Sequence, residues 1–511
     1  MKKSILFNAT PTEKRGALLE DGKVVELVIE RPDQYRIVGN IYRGRISSIL
    51  PGIQSAFIDC GLERAAFLHA SDVDPSLLLD KDDDIMEKFT ADAKSKRRRI
   101  AKVPIEKVLE KGQEIIVQVA KEPIGSKGAK MTTQISIAGR FLVLVPDTDF
   151  IGVSKRSSDD RRRRELKRLI SAMKPPGIGF IVRTIGLKVS QEEFINEINA
   201  LLAAWKKVRD EALLGSGPRL LYREMGITTS VIRDLFAEDV TEVVADNHDD
   251  FVEIQKYLKA VHPSLCDRVK HYTDREPLFD RFNIEKDLER SLRRKVWLKS
   301  GGYILFDHAE ALLAIDVNTG RNVGKADVED TIFRTNMEAA DEICRQLRLR
   351  DIGGLIVVDF IDMAKADHRR QVEDRMRRIM HSDQTSTAMT GLSKFGLMEI
   401  TRKRVRPELR ELYTDACPTC NGLGWVFTPA SISTRIDRAL RKSGAQDGGR
   451  RLSLTVHSTV AEYLRRDNGQ MVKKLEQEHG VFLDIQEDPE LDFDEFSFSG
   501  RNGGRPQSQK Q

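Results

Sequence analysis

Two apolar runs, LLAIDVN carrying Asp316 and GGLIVVDFIDM carrying Asp359, flank a helical stretch from about 327 to 350. Short runs this rich in β-branched residues read as buried strands. Strand, helix and strand in that order form a βαβ crossover, which makes the two strands parallel and puts their carboxyl ends on one edge. Ligands of open α/β sheets gather outside that edge, so Asp316 and Asp359 are expected side by side. Two carboxylates so placed call for a hard divalent cation. Mg²⁺ fits best, because it takes one or two carboxylates, keeps several waters and lets a substrate phosphate complete its shell. The plain alternative is that each Asp caps the helix that follows it.

A chain of 511 residues suggests roughly three to four domains. Lys and Arg exceed Asp and Glu by only five, too small an excess to announce a nucleic-acid binder from bulk charge. The charge is clustered instead, as KSKRRRIAK at 94–102, RRRR at 161–164 and RKRVR at 402–406, with the acidic run DKDDD at 80–84 before the first. A solvated helix face is the usual meaning of such runs. For RRRR that meaning suffices, since Leu166, Leu169, Ile170 and Met173 add an apolar helical stripe. No segment approaches the roughly twenty apolar residues that span a bilayer, and five cysteines are too few for a disulfide framework, so a reduced, cytoplasmic protein is expected.

From 36 to 73 the chain reads as short strands broken by Gly and Pro, followed by a charged insertion and then QEIIVQVAKEP and MTTQISIAGRFLVLV. Close-spaced short strands suggest a small barrel, and an OB-fold uses its strand faces to stack bases on aromatics. Phe57 and Phe67 are the candidate platform, with Tyr42, Lys121 and Lys127 near enough to join it. Filling the barrel core is the competing role for both rings. A helix from Ser158 to Met173, the strand GFIVRT and a helix opening at a Ser190/Glu193 capping box come next. Arg183 and Thr184 then stand at a strand end just before a helix N-terminus, where a terminal phosphate is favoured. Residues 215–300 read as scaffold, 451–486 as strand, long helix and strand, and the stretch from Gly500 as a disordered tail.

CPTCNGLG places Cys417 and Cys420 at zinc-knuckle spacing, with Gly422 and Gly424 for the tight turn. Structural Zn²⁺ takes four ligands. Cys60, Cys266 and Cys344 are isolated and read as small buried apolar groups, so a second copy of the chain is the simplest source of the other two ligands. A thioredoxin-like redox pair is the alternative.

GNIYRGRI, SAFIDCG, FIVRT, AIDVNTG, LIVVDFIDM, FGLMEITRKR and CPTCNGLG, in this order, resemble the catalytic region of the ribonuclease E and ribonuclease G family. The resemblance runs from the first residues to about 490 and implies an α+β and α/β multidomain fold. Its parts would be an RNase H-like scaffold (1–35 and 229–292), an inserted OB-fold RNA-binding domain (36–127), a 5′-end sensor (128–228), a DNase I-like catalytic domain (293–413), a zinc link (414–424), a small C-terminal domain (425–498) and a tail (499–511). It implies that Asp316 and Asp359 hold catalytic Mg²⁺ with Asn318 orienting the group, and that Phe57, Phe67 and Lys121 grip RNA. It further implies that Arg183 and Thr184 bind a 5′-monophosphate, and that Cys417 and Cys420 share Zn²⁺ between two chains of a homodimer, with dimers paired into tetramers. The implied activity is Mg²⁺-dependent cleavage of single-stranded, A/U-rich RNA in rRNA maturation and mRNA decay, leaving 5′-phosphates. By the same resemblance the chain is expected to do without the long disordered scaffold of ribonuclease E, which would bring it nearer to ribonuclease G. The segment from about 74 to 111 is longer and more charged than the family leads one to expect. The competing functions are a non-catalytic RNA-binding or ribosome-associated protein and a DNA nuclease.

Overall fold

The computed structural model describes residues 2–31, 37–73, 104–123, 128–154, 160–236, 239–320, 328–381, 383, 385–420, 422–443, 451–500 and 507–508. Contacts divide the chain into two compact units, Met1–Leu409 and Arg410–Gln511.

The first unit opens with an antiparallel meander, β1 (Lys3–Ala9), β2 (Lys14–Glu20) and β3 (Lys23–Glu30). Asp21 and Gly22 close its second hairpin, both at positive φ, as a two-residue turn matched to strand twist requires. Then β4 (Ile41–Leu50), β5 (Ser55–Asp59), β6 (Ala66–His69), β7 (Glu114–Lys121) and β8 (Lys130–Thr132) pair in the order β4-β5-β6-β8-β7 and back to β4. This closed five-strand barrel is the one expected from the Gly-punctuated strands. Ile46, Ile58, Leu68, Val117 and Met131 fill it. Tyr42 corrects the expectation: it shares the face of Ile46 on β4 and is buried inside the barrel, away from any outer platform. The insertion is corrected in part as well, since Ile105, Val108 and Leu109 at its end pack into the same core. Its charged stretch at 74–103, and Lys127, lie outside the described residues.

A four-stranded sheet follows, ordered β11-β12-β10-β9, from β9 (Ile137–Ala138), β10 (Leu142–Pro146), β11 (Ile151–Val153) and β12 (Ile178–Val182). The helices α1 (Asp160–Met173) and α2 (Gln191–Leu213) supply Leu166, Ile170, Phe194 and Ile198 to its core. The Ser190/Glu193 capping box is present at the start of α2. After β13 (Arg219–Tyr222), which adds to β4, come α3 (Ile227–Leu235), β14 (Val240–Ala245), α4 (His248–Val261) and β15 (Val269–His271). Strand β14 pairs parallel with β1, so residues 3–30 and 240–271 share one sheet ordered β15-β14-β1-β2-β3.

The last sheet of this unit is built from β16 (Lys295–Trp297), β17 (Tyr303–His308), β18 (Leu312–Asn318), β19 (Gly354–Asp359), β20 (Thr387–Met389) and β21 (Leu397–Arg402), ordered β16-β17-β18-β19-β21-β20. Only β18 and β19 are parallel, joined by α5 (Val328–Leu349); α6 (Ala366–His381) leads on to β20. Alternate residues Val296, Ile304, Ile315, Val317, Ile356, Val358 and Met398 are buried with residues of α5 and α6. The opposite face carries Trp297, Tyr303, Leu305, Asp316, Asn318 and Asp359, all half-buried or exposed.

In the second unit, α7 (Pro429–Ser443), β22 (Arg451–Val456), α8 (Ser458–Leu464), α9 (Arg466–His479), β23 (Phe482–Glu487) and β24 (Phe496–Gly500) enclose a core of Ile432, Ile436, Leu454 and Val460. The single long helix expected between β22 and β23 is broken. Asp467, Asn468 and Gly469 all take positive φ, which Gly adopts freely and which Asp and Asn tolerate through local hydrogen bonds. Of the expected disordered tail, the described residues 499–500 and 507–508 lie in strands, Gln507–Ser508 pairing with β24.

Candidate functional site

Asp316 near the end of β18 and Asp359 at the end of β19 are direct register partners across the parallel pair. Neighbouring strands lie about 4.8 Å apart, so the two carboxylates project from adjacent positions on the face opposite the helices. Asn318, two residues on and on the same face, donates from Nδ2 to Asp316 Oδ2 at 2.7 Å. Neither Asp caps a helix: α5 begins at Val328 and α6 at Ala366, well beyond the one-residue step of an N-cap. The loop after β19 is pinned from α5. Asn336 bonds both the carbonyl and the N–H of Ile361 at 2.8 and 3.2 Å, and the Glu329 carboxylate accepts from the N–H groups of Ala364 and Lys365.

Charge at this edge is unbalanced. Partial burial, then the carboxylates of Asp316 and Asp362, push Asp359 above the usual carboxylate range. Among the described residues, no Lys, Arg or His forms an ion pair with Asp316, Asp359 or Asp362. Clustered oxygen donors lacking a protein cation suit a hard divalent ion. Asp362 was not singled out in the sequence, although it stands three residues past Asp359 in the same DFIDM run.

On the barrel, the burial pattern settles the direction of the two phenyl rings. Ala56 and Ile58 flank Phe57, Ala66 and Leu68 flank Phe67, and all four neighbours are buried. The rings therefore leave the outer face, half-buried and edge-to-face with centroids 6.2 Å apart. Phe57 is the register partner of Phe67, Phe67 of Lys130, and Lys130 of the exposed Lys121. One row thus crosses β5, β6, β8 and β7 with two aromatics at one end and two ammonium groups at the other. Lys130, missed in the sequence, reaches this row through a pairing remote along the chain, and its ammonium sits 2.8 Å from Asp72.

Arg183 and Thr184 follow β12, and a short 3-10 turn, Thr184–Lys188, separates them from α2. Helix α2 opens at its Ser190 cap, as expected. Arg183 is already occupied: Nη1 donates to Gly139 O at 2.8 Å, and Nη2 lies 2.7 Å from Asp234 Oδ1. Thr184 shares a 2.9 Å hydroxyl contact with Ser154. Burial pushes Asp234 up, but Arg233 and Arg183 outweigh it and hold the carboxyl below its ordinary range. Behind Arg183, the Glu197 carboxylate accepts from three successive N–H groups, of Arg140, Phe141 and Leu142, fixing the turn that presents Gly139. Burial pushes Glu197 up to about 7 against those N–H groups, which pull it down. Neither Glu197 nor Asp234 was marked in the sequence.

In the second unit, Cys417 is exposed and Cys420 half-exposed. Hydrogen bonds from the backbone of Cys420 and Thr419 lower the Cys417 thiol, and Gly424 N–H points at Cys420 Sγ from 3.3 Å. N–H groups directed at sulfur favour thiolate and suit a metal knuckle. Cys60 and Cys344 are buried, and burial raises both thiols to about 12. Cys266 is half-exposed rather than buried. A further cluster, Asp437, Glu478 and His479, already has a cation, because Arg441 lies 3.3 Å from Asp437 and 2.7 Å from Glu478. No helix among the described residues is long and apolar enough to cross a membrane.

Comparison with known proteins places these features in a lineage. A model described as "Ribonuclease E/G family" matches residues 136–405, and one described as "RNase E/G, Thioredoxin-like domain" matches 416–501. Ribonuclease G of Escherichia coli K12 is 36% identical over 497 residues, covering 97% of this chain and 99% of that protein. Ribonuclease G of Haemophilus influenzae is 35% identical, covering 94% of each. Ribonuclease E of Haemophilus influenzae is 36% identical over 98% of this chain but only 52% of its own length.

Proposed function

The chain belongs to the ribonuclease E/G family, and from that premise we propose that it is a Mg²⁺-dependent endoribonuclease cutting single-stranded, A/U-rich RNA to leave 5′-phosphates. The observation that carries the proposal is the register pairing of Asp316 with Asp359, with Asn318 bonded to the first and no protein cation on either among the described residues. These carboxylates would hold the ion. Bound there, Mg²⁺ supplies positive charge to polarise the scissile phosphodiester and to activate water for in-line attack. Asn318 fixes the direction of the Asp316 carboxylate. The bonds of Asn336 and Glu329 to the loop after β19 keep Asp359 and Asp362 from shifting.

Phe57 and Phe67 stack on bases while Lys121 and Lys130 face the backbone. The barrel is then an OB-fold, flanked by a 5′-end sensor at Arg183 and Thr184 and a DNase I-like domain around β16–β21. The sheet shared by residues 3–30 and 240–271 is the RNase H-like scaffold. Cys417 and Cys420 hold Zn²⁺ together with the same pair of a second chain, giving a homodimer that pairs into a tetramer. The substrates are rRNA precursors and mRNA in the cytoplasm. Each cut makes an end the sensor accepts, so one cleavage favours the next.

The test is cleavage of matched RNA and DNA oligonucleotides with Mg²⁺ and with EDTA. RNA cut only with Mg²⁺ is expected. DNA cut equally well makes the protein a general nuclease, and RNA bound but never cut makes it a binding protein. Metal analysis with light scattering tests the zinc link: one Zn²⁺ per two chains, and smaller assemblies in a Cys417→Ser, Cys420→Ser double variant, are expected.

A further inference from the structure

Strand β16 contributes little chemistry to the assignments above, yet it places an unusual group beside the carboxylates. Trp297 is the register partner of Tyr303, and Tyr303 of Asn318, so one row runs from an exposed indole to the amide that orients Asp316. Residues paired across neighbouring strands point to the same side. Trp297 therefore stands on the carboxylate face, two strand spacings or about 10 Å from β18. The indole is 58% exposed, whereas Val296, Ile304 and Val317 bury the other face of the same three strands. Trp297 is thus not needed for the core.

Its surroundings are those of a stacking platform. Tyr303 meets the indole edge-to-face with centroids 5.4 Å apart, which steadies its plane. Lys295 Nζ lies 4.0 Å from the Trp297 centroid and 3.6 Å from that of Tyr303. The ammonium takes one side of the indole by cation–π attraction and leaves the exposed remainder open. Aromatic face and fixed positive charge together are what single-stranded nucleic acid binds, base on ring and phosphate near cation. A chain threading the edge past Asp316 and Asp359 reaches Trp297 within a nucleotide or two.

We infer that Trp297, backed by Tyr303 and Lys295, is a nucleotide subsite that stacks a base of single-stranded RNA beside the scissile phosphate. The inference rests on the proposed placing of the reaction at Asp316 and Asp359. Base–aromatic stacking of this kind is sequence-tolerant, so the subsite adds affinity and register at the cut without reading a particular base.

The experiment measures binding of a fluorescein-labelled A/U oligoribonucleotide to the full chain carrying Asp359→Asn, alone and combined with Trp297→Ala or Trp297→Phe. Trp297→Ala is expected to raise Kd about 5- to 150-fold, the range of one lost stack, while Trp297→Phe keeps most of the affinity. Quenching of indole emission on binding is expected and should be lost in the Ala variant. An unchanged Kd for Trp297→Ala overturns the subsite. So does a fall in assembly mass by light scattering with Kd per protomer unchanged, which makes the indole a chain–chain contact. Cleavage surviving in Asp359→Asn alone is a separate failure, of the metal assignment, and leaves the binding readout interpretable.

Discussion

The carboxylate edge of β18 and β19 and the Arg183 pocket are two charged features of the first unit that are finished to different degrees. At the edge, Asp316, Asp359 and Asp362 stand together, and among the described residues none of them has a cation in an ion pair, while Asn318 bonds Asp316. In the pocket, Arg183 is bonded to Gly139 and paired with Asp234, and Asp234 is bonded in turn to Arg233. An unbalanced cluster is stabilised by whatever neutralises it, so the edge should bind its cation strongly and depend on it fully. A balanced one gives up a partner before it takes a ligand. The pocket should then sense an RNA end weakly, as a modulator and not as a gate.

The widest separation between the two should appear at the edge. Asp316→Asn or Asp359→Asn removes one of the charges that recruit the ion, and cleavage is expected to fall about 1,000-fold or more, the several kcal/mol that metal charge stabilisation supplies. Affinity for RNA should change little, since the barrel row is untouched. Single-turnover cleavage beside a binding titration measures both, and turnover near the parent level in both variants would remove the contrast.

Behind the pocket, the balanced side depends on Glu197, which holds three N–H groups. Glu197→Ala orphans them in a site left 8% exposed, and a loss of about 3 kcal/mol or more in unfolding free energy is expected, at roughly 1 to 3 kcal/mol per unmatched group. Glu197→Gln keeps an acceptor and should lose less. It also isolates the titration. With its carboxyl raised from 4.5 to about 7, Glu197 keeps its proton in the folded state at pH values where the unfolded chain has released it. The stability from that proton is full below the unfolded value and is lost as pH rises through about 7. Parent stability relative to Glu197→Gln should thus decline between pH 5 and pH 8, by about 1.4 kcal/mol per unit at the steepest, as denaturant titrations at several pH values would read. A flat difference means Glu197 does not titrate there.

The barrel row tests whether outward-facing rings on the first unit serve binding as proposed. Phe57→Ala and Phe67→Ala should each weaken RNA binding by about 1 to 3 kcal/mol without lowering the melting temperature, because neither ring belongs to the core that Ile58 and Leu68 fill. Unfolding of either variant with no separate loss of affinity would return the rings to a structural role.

What the sequence showed follows from how local each feature is. Asp316 and Asp359 were readable because a crossover links them and the parallel register is a consequence of that crossover. Phe57 and Phe67 sit on consecutive short strands that pair directly. Tyr42 was also readable by parity, as Tyr42, Gly44 and Ile46 alternate with Arg43 and Arg45, and its placement on the surface ignored that alternation. Lys130 beside Phe67, Asp234 beside Arg183 and Glu197 beside Arg140 were not readable: each of these meetings joins residues dozens of positions apart, which no local period records. Trp297 lies between, since its strand could be read but its row to Asn318 needed the register.

The smallest expected effect is the most direct test of the balance in the pocket. Arg183→Ala should abolish any preference for a 5′-monophosphate over a 5′-hydroxyl end while sparing circular RNA, because only the terminal phosphate uses that guanidinium. Asp234→Asn should act in the opposite direction. It keeps the size of the side chain, removes the charge that competes for Arg183, and leaves Arg233 its second carboxylate at Glu224. The Arg183–Asp234 pair is partly exposed, 28% and 31% by side chain, and such pairs contribute up to about 1 kcal/mol. Freeing Arg183 should therefore raise the 5′-monophosphate preference only about two- to fivefold. The measurement is the ratio of kcat/KM on the two ends, with a circular substrate as the baseline. A ratio that falls instead would mean that Asp234 holds Arg183 in the pose the phosphate needs, and that the pocket is preset rather than contested.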